Sequence, residues 1–135
     1  FTGDGAGARL QGADYISVTG APPQFDPVAS LDSITRLHEA RLDRLLLSQF
    51  GEVTDVSHHL TIYAQRVGMV SDAVKSLMEQ GLRGDELRGA YTRLEHDFAA
   101  RSGVDDALWR RYELVNNSSM CADGIALFHE RNPQP

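Results

Sequence analysis

Apolar residues recur at helical spacing through most of the chain after residue 26, and Gly, Pro, Asp or Asn interrupts the pattern at intervals. Asp26 followed by Pro27 combines an N-cap acceptor with a first-turn proline, which is a strong signal for a helix start. Gly51, Gly81 and Gly103 mark places where the pattern breaks. Four helices are therefore predicted, over residues 26–50, 55–80, 85–102 and 105–132.

The connections between these predicted helices are only a few residues long, which favours antiparallel neighbours in space. The expected fold is all-α, an antiparallel up-down four-helix bundle over residues 26–135. A chain of 135 residues is long enough to bury one core without a metal or a disulfide. Residues 1–25 are rich in Gly and Pro, so we expect a flexible arm there, or a short strand at residues 15–19.

The charge balance and the single cysteine limit the classes of partner and location. Thirteen Lys and Arg residues against 19 Asp and Glu residues give a formal net charge of -6. Because phosphate contacts need clustered Lys and Arg, we expect no nucleic-acid partner. No run of about 18 apolar residues is present, so no membrane span is expected. Cys121 stands alone, which agrees with a reducing compartment and a cytoplasmic location.

No complete catalytic or metal-binding signature occurs in the sequence. Glu-x-x-His, Cys-x-x-Cys and His-Glu-x-x-His are all absent, so neither a metal nor a cofactor is expected. Cys121 has no cationic neighbour in sequence and is interpreted as a buried structural residue. The adjacent His58 and His59 are expected at the surface, and Glu95 is expected to point outward or sideways from the third helix, with Leu94 inward.

A polar strip on the fourth predicted helix is the best candidate for a binding site. Its residues are spaced four, three and four positions apart, so they share one edge of a helix beside an apolar face. The strip comprises Tyr112, Asn116, Ser119 and Asp123. His38 lies in the middle of the apolar face of the first helix and is the histidine expected to be buried or half-buried. The alternative is that the strip pairs with polar groups across a helix interface, and the pattern favours neither.

Two of the predicted helices carry more apolar surface than one small bundle can cover. The second helix has an extra stripe at Ile62, Met69 and Ala73, and the fourth has one at Trp109, Met120 and Leu127. A homodimer that buries these stripes is therefore expected.

The sequence leaves two functions open. The first is a non-enzymatic regulatory or sensory module that dimerises and binds a small apolar ligand in its core, on the polar strip and His38. The second is a small helical enzyme or enzyme subunit in which Tyr112, His38 and Asp123 serve as acid, base and orienting groups around the same cavity.

Overall fold

The computed structural model describes residues 1–48 and 51–134. Within these residues the chain forms five α-helices, a short 3-10 turn and a two-stranded hairpin, so the expectation of a mostly helical fold is confirmed. The 3-10 turn spans Gly3–Ala6. The other elements are α1 Pro27–Glu39, β1 Leu45–Leu47, β2 Gly51–Val53, α2 Val56–Glu79, α3 Gly84–Arg101, α4 Asp106–Val115 and α5 Ser118–Arg131.

The first helix is shorter than predicted because the chain turns into a hairpin. α1 starts where expected, with the Asp26 carboxylate accepting from the Val28 and Ala29 amides, but it ends at Glu39. The apolar run 45–47 pairs antiparallel with 51–53 as β1 and β2. A short apolar run fits a strand as well as a helix, which is why the spacing misled the prediction. Gln49 and Phe50, the last two residues of the predicted first helix, lie outside the described residues.

The fourth predicted helix is two helices. Asn116 has a non-helical backbone (φ -151°, ψ 84°), and α5 starts after Asn117, whose side chain accepts a hydrogen bond of 3.0 Å from the Met120 amide. Asn side chains compete with the helix for backbone partners and favour helix starts, which explains why the break falls here. The prediction of one continuous helix over 105–132 is therefore wrong.

Residues 1–25, called the N-terminal segment below, are part of the core. An isolated antiparallel bridge joins Ala8 to Ser17, and apolar side chains of the segment pack with those of the helices. Where the sequence suggested a flexible arm or a short strand, the structure therefore has an irregular segment packed into the protein. Its buried apolar residues are Ala6, Ala8, Leu10, Tyr15, Ile16, Val18 and Phe25.

α2 is the central helix of the described residues. It packs against α1, α3 and α5, and α3 in turn packs against α5. Leu60, Tyr63, Val67, Val70 and Val74 of α2 are all buried. None of the helices in the described parts of the chain combines the length and apolarity that crossing a bilayer would require.

α5 approaches the N-terminal segment closely enough that one position has no room for a side chain. A Cβ atom at Gly124 would overlap the Gly20 carbonyl oxygen and would lie 2.7 Å from the Pro22 nitrogen. These are backbone atoms, which cannot move aside as a flexible side chain could. Gly124 is therefore required by packing between two backbones.

We expect Gly124→Ala to lower the free energy of unfolding by about 1 to 3 kcal/mol, the usual cost of overpacking a core. The matched control is Gly68→Ala in α2, where a Cβ atom would meet no heavy atom within 4 Å. That change should raise stability by roughly 0.5 to 1 kcal/mol, because Ala is the better helix former. Urea denaturation of both variants measures the difference, and equal stabilities would contradict the close approach.

Candidate functional site

Tyr112 of α4 is buried and is bonded to the N-terminal segment on both sides of its hydroxyl group. The hydroxyl donates to the Tyr15 carbonyl oxygen at 2.7 Å and accepts from the Leu10 amide at 2.8 Å. Its ring contacts the Tyr15 ring edge to face, with centroids 4.9 Å apart. Burial raises the pKa of Tyr112. The residue therefore fixes two separate points of the N-terminal segment to α4.

Asn116, at the break between α4 and α5, performs a similar role one turn later. Its Nδ2 donates to Ser17 Oγ at 2.6 Å and to the Val18 carbonyl oxygen at 3.0 Å, and its Oδ1 accepts from Cys121 Sγ at 3.2 Å. The side chain is buried. The backbone of Asn116 leaves the helical conformation, which ends α4. Its side chain is hydrogen-bonded to the N-terminal segment.

The other predicted site residues lie elsewhere. Asp123 of α5 accepts a hydrogen bond of 2.8 Å from Arg88 Nε of α3, in a pair open to solvent. Ser119 is half-buried on α5, and His38 is half-buried on α1, which packs against α2 and the 3-10 turn. Among the described residues, no side-chain hydrogen bond joins any two of the five predicted positions. The break at Asn116 divides the strip between α4 and α5, because the regular spacing of the strip residues depended on one continuous helix.

An internal cavity lies beside Tyr112 and Asn116, but it is small. Its volume is about 10 Å³, and its polar lining includes Tyr15, Ser17 and Glu95. A space of that size holds roughly one water molecule. A small-molecule ligand therefore has no room at this point in the core.

A buried ion pair that joins α2 and α3 to the N-terminal segment is the most strongly polar feature of the core. Arg66 Nη2 of α2 is bonded to Glu95 Oε2 of α3, and only 2% of Arg66 and 6% of Glu95 is exposed. Tyr15 Oη donates to the same carboxylate oxygen at 2.7 Å. Arg66 Nε also donates to the Ile16 carbonyl oxygen at 3.2 Å, and its guanidinium lies 4.2 Å from the Phe98 ring centroid.

The environment of this pair keeps both the arginine and the tyrosine protonated. Burial is the largest single effect and would lower the pKa of Arg66, but the opposing effects, led by the charge of Glu95, together give a net upward shift. Burial, together with the charge of Glu95, raises the pKa of Tyr15 well above its ordinary value. Tyr15 thus remains a hydrogen-bond donor, and its proton serves to satisfy the carboxylate.

The position of Glu95 corrects the predicted orientation of the third helix. Leu87, Tyr91, Glu95 and Ala99, each four residues apart, form the buried row of α3, whereas Leu94, expected inward, is 45% exposed. The inward orientation expected for Leu87, Ala90 and Tyr91 is confirmed, but the prediction was wrong for Leu94 and Glu95, because a buried acid looks like a surface residue in a sequence. A carboxylate is buried here only because it has a cationic partner on another helix.

Two further predictions concern single residues. Cys121 is buried, as expected, and burial raises the pKa of its thiol to about 11, so it stays protonated at neutral pH. The expectation that His59 lies at the surface is wrong, since the ring is fully buried and its Nε2 lies 2.8 Å from the Ala6 carbonyl oxygen. Helical spacing was the signal in the sequence: His59 lies three residues after Val56 and four before Tyr63, on the buried face of α2, whereas the exposed His58 lies off that face.

The surface of the protein carries a polar cleft between the N-terminal segment and β2 with the two residues that lead into α2. The cleft has a volume of about 550 Å³, and Arg9 lies in it between two carboxylates, 3.2 Å from Asp14 and 3.1 Å from Asp55. The hydrogen bond and charge of Arg9 lower the pKa of Asp55 despite the opposing effect of burial. The charge of Arg9 is therefore already matched within the chain.

An apolar groove between α2 and α3 is a further open surface. Its volume is about 150 Å³, and Met69 and Ala73 of α2 face Leu94 and Phe98 of α3 across it. Met69 is 46% exposed, and the buried Arg66 and Glu95 also contribute to the lining. The groove thus presents apolar side chains to solvent directly above the ion pair of the core.

Among the described residues, no group of three or more His, Cys, Asp or Glu side chains is placed to hold a metal ion. No protein-family model, curated protein or solved structure matches the chain.

The buried ion pair should be far more important for stability than an exposed one. Glu95→Gln removes the charge but keeps the shape, so it leaves Arg66 buried without its anion, and we expect a loss of about 3 to 5 kcal/mol in the free energy of unfolding. The matched control is Asp123→Asn, which removes the partner of Arg88 at the surface and should change stability little. Urea denaturation compares them, and similar losses would contradict the burial of the pair.

Asn116 and Ser119 provide a second comparison within the predicted strip. Asn116→Ala leaves the buried Val18 carbonyl group without its amide donor, so we expect a loss of roughly 1 to 3 kcal/mol. Ser119→Ala should stay within about 0.5 kcal/mol of the wild type, as is usual for a side chain away from such networks. Thermal melts of both variants test this, and a larger effect at Ser119 would indicate that the strip acts as a unit.

Proposed function

We propose that this chain is a non-enzymatic helical interaction module of the regulatory or sensory class, and that it forms a homodimer through the groove between α2 and α3. The observation that carries this proposal is the exposure of large apolar side chains at one groove, Met69 at 46% and Leu94 at 45%. Apolar residues grouped on a protein surface favour association, because burying them removes their area from water.

The residues of the groove agree with the extra apolar stripe on the second helix. Of Ile62, Met69 and Ala73, Met69 is exposed and the other two are half-buried, so the stripe is covered only in part, and Met69 and Ala73 line the groove. In a two-fold symmetric dimer the same groove of each copy would meet, and Met69 of each copy would bury against the other. The flexible methionine side chain adapts readily to such a contact.

The groove also provides the place for a small apolar ligand. The cavity beside Tyr112 and Asn116, about 10 Å³, has room for roughly one water molecule, whereas the groove offers about 150 Å³ with mostly apolar walls. A ligand in the groove would contact the side chains that form the proposed dimer interface. In this proposal, ligand binding and dimerisation therefore compete for one surface. The ligand would be sensed as a change in the amount of dimer.

The hydrogen bonds of the core support a binding role more than a catalytic one. The hydroxyl group of Tyr112 donates and accepts within the chain, and Asp123 is paired with Arg88. A general acid or base must be able to form a hydrogen bond with the substrate. The alternative enzyme would have to break these contacts to use Tyr112 with His38 and Asp123.

Met69→Glu tests the proposal, because it places a charge in the proposed interface on a side chain that is nearly half exposed and should leave the fold intact. We expect the wild type to sediment as a dimer at micromolar concentration and Met69→Glu to sediment as a monomer. Met120→Glu, on an exposed methionine of α5, is the matched control and should remain a dimer. A monomeric wild type, or disruption by Met120→Glu instead, would overturn the proposed interface.

A further inference from the structure

His59 holds the start of the chain to the first turn of α2. Its ring is fully buried, and Nε2 lies 2.8 Å from the carbonyl oxygen of Ala6, the last residue of the 3-10 turn. A carbonyl oxygen only accepts hydrogen bonds, so Nε2 carries the proton in this contact. The ring also lies nearly parallel to that of Tyr63, one turn along α2, with centroids 6.4 Å apart.

The second ring nitrogen, Nδ1, is buried and has no hydrogen-bond partner among the described residues. With Nε2 protonated, Nδ1 of the neutral ring is a bare acceptor. Adding a proton there would create a buried cation whose new N–H group has no acceptor. Burying a charge without a partner is costly, so the closed contact accommodates the neutral ring and excludes the charged one.

The charged groups around the ring do not offset the positive charge that a second proton would add to it. Arg9 of the N-terminal segment and His58 of α2 oppose a positive charge on His59, and Asp55 favours one, but its carboxylate is already bonded to Arg9. Asp4 of the 3-10 turn accepts from Ser48 Oγ at 3.0 Å. Because His59 is in the first turn of α2, the partial positive charge of the helix N-terminus also opposes protonation.

We propose that the contact between His59 and Ala6 is a pH-sensitive latch, which holds the 3-10 turn Gly3–Ala6 on α2 while the ring is neutral and releases it when the ring is protonated. Release would uncover the face of Tyr63, on which Gly7 packs so tightly that a Cβ atom there would lie 2.7 Å from the Tyr63 ring. The inference goes beyond the proposed dimer, since His59 and Met69 are ten residues, or about 15 Å, apart along α2.

The direction of the pH dependence follows from the neutral closed state. Burial lowers the pKa of His59 in the closed protein below its ordinary value, about 6.5, which the ring regains once released. The released state therefore binds the proton more readily, and the closed contact is fully stable above about pH 6.5 and weakens as the pH falls below it. One proton limits the effect to about a tenfold rise in opening per pH unit.

Hydrogen exchange of the wild-type chain between pH 8 and pH 5, corrected for intrinsic rates, tests the latch. The Gly7 and Ala8 amides, which donate to Asp4 and Ser17, report on the turn, and the Ile125 amide in α5 is the internal reference. We expect protection of Gly7 and Ala8 to fall below pH 6.5 while Ile125 stays protected. Protection that does not change with pH, or that falls equally at Ile125, would overturn the proposal.

His59→Gln separates the titration from the contact, because the amide of Gln can donate to the Ala6 carbonyl group but does not titrate in this range. It should remove the pH dependence, whereas the matched variant His58→Gln at the exposed neighbour should retain it. Should His59→Gln fail to fold, NMR of the wild type decides: the His59 ring protons and the Gly7 amide must change with one midpoint. Different midpoints, or an unchanged dependence in His59→Gln, would refute the latch.

Discussion

The structure depends on supplying hydrogen bonds to an irregular segment that lies in the core. Buried carbonyl groups need donors, and outside helices and sheets the neighbouring backbone does not provide them. In this chain the helices provide them through side chains: Tyr112 donates to the carbonyl of Tyr15, Arg66 to that of Ile16 and Asn116 to that of Val18. Two helices, α2 and α4, and the break that follows α4 are thereby held to consecutive parts of one segment.

The charged pair in the core follows from the same requirement. Arg66 can donate to the Ile16 carbonyl only as a buried cation, and a buried cation needs an anion, which Glu95 supplies. The proton of Tyr15 then satisfies the carboxylate. The network is thus connected through α2, α3 and the N-terminal segment, and its polar groups give the core a specific arrangement that apolar packing alone would leave less defined. The groove above it is where the helices part and apolar side chains reach solvent.

The sequence predicted local structure better than it predicted contacts between residues that are distant in the chain. The start of α1 at Pro27, the long α2 and the burial of Cys121 could be predicted, because capping, helical spacing and the lack of cationic neighbours are local properties. The end of α1, the break at Asn116 and the burial of Glu95 could not. The break at Asn116 and the burial of Glu95 depend on partners distant in sequence, the Val18 carbonyl and Arg66. The end of α1 depends on a short apolar run that fits a strand as well as a helix.

The sequence by itself therefore determined a mostly helical, acidic chain, since helical periodicity and charge are written in neighbouring residues. It also marked Tyr112 and Asn116 as unusual polar groups in an apolar setting. Only the tertiary structure decided what those groups do. Gly and Pro gave the N-terminal segment the composition of an arm, but its buried carbonyl groups accept hydrogen bonds from side chains of α2, of α4 and of the break after α4. Burial and hydrogen bonding between distant residues, unlike periodicity, have no local signature in a single sequence.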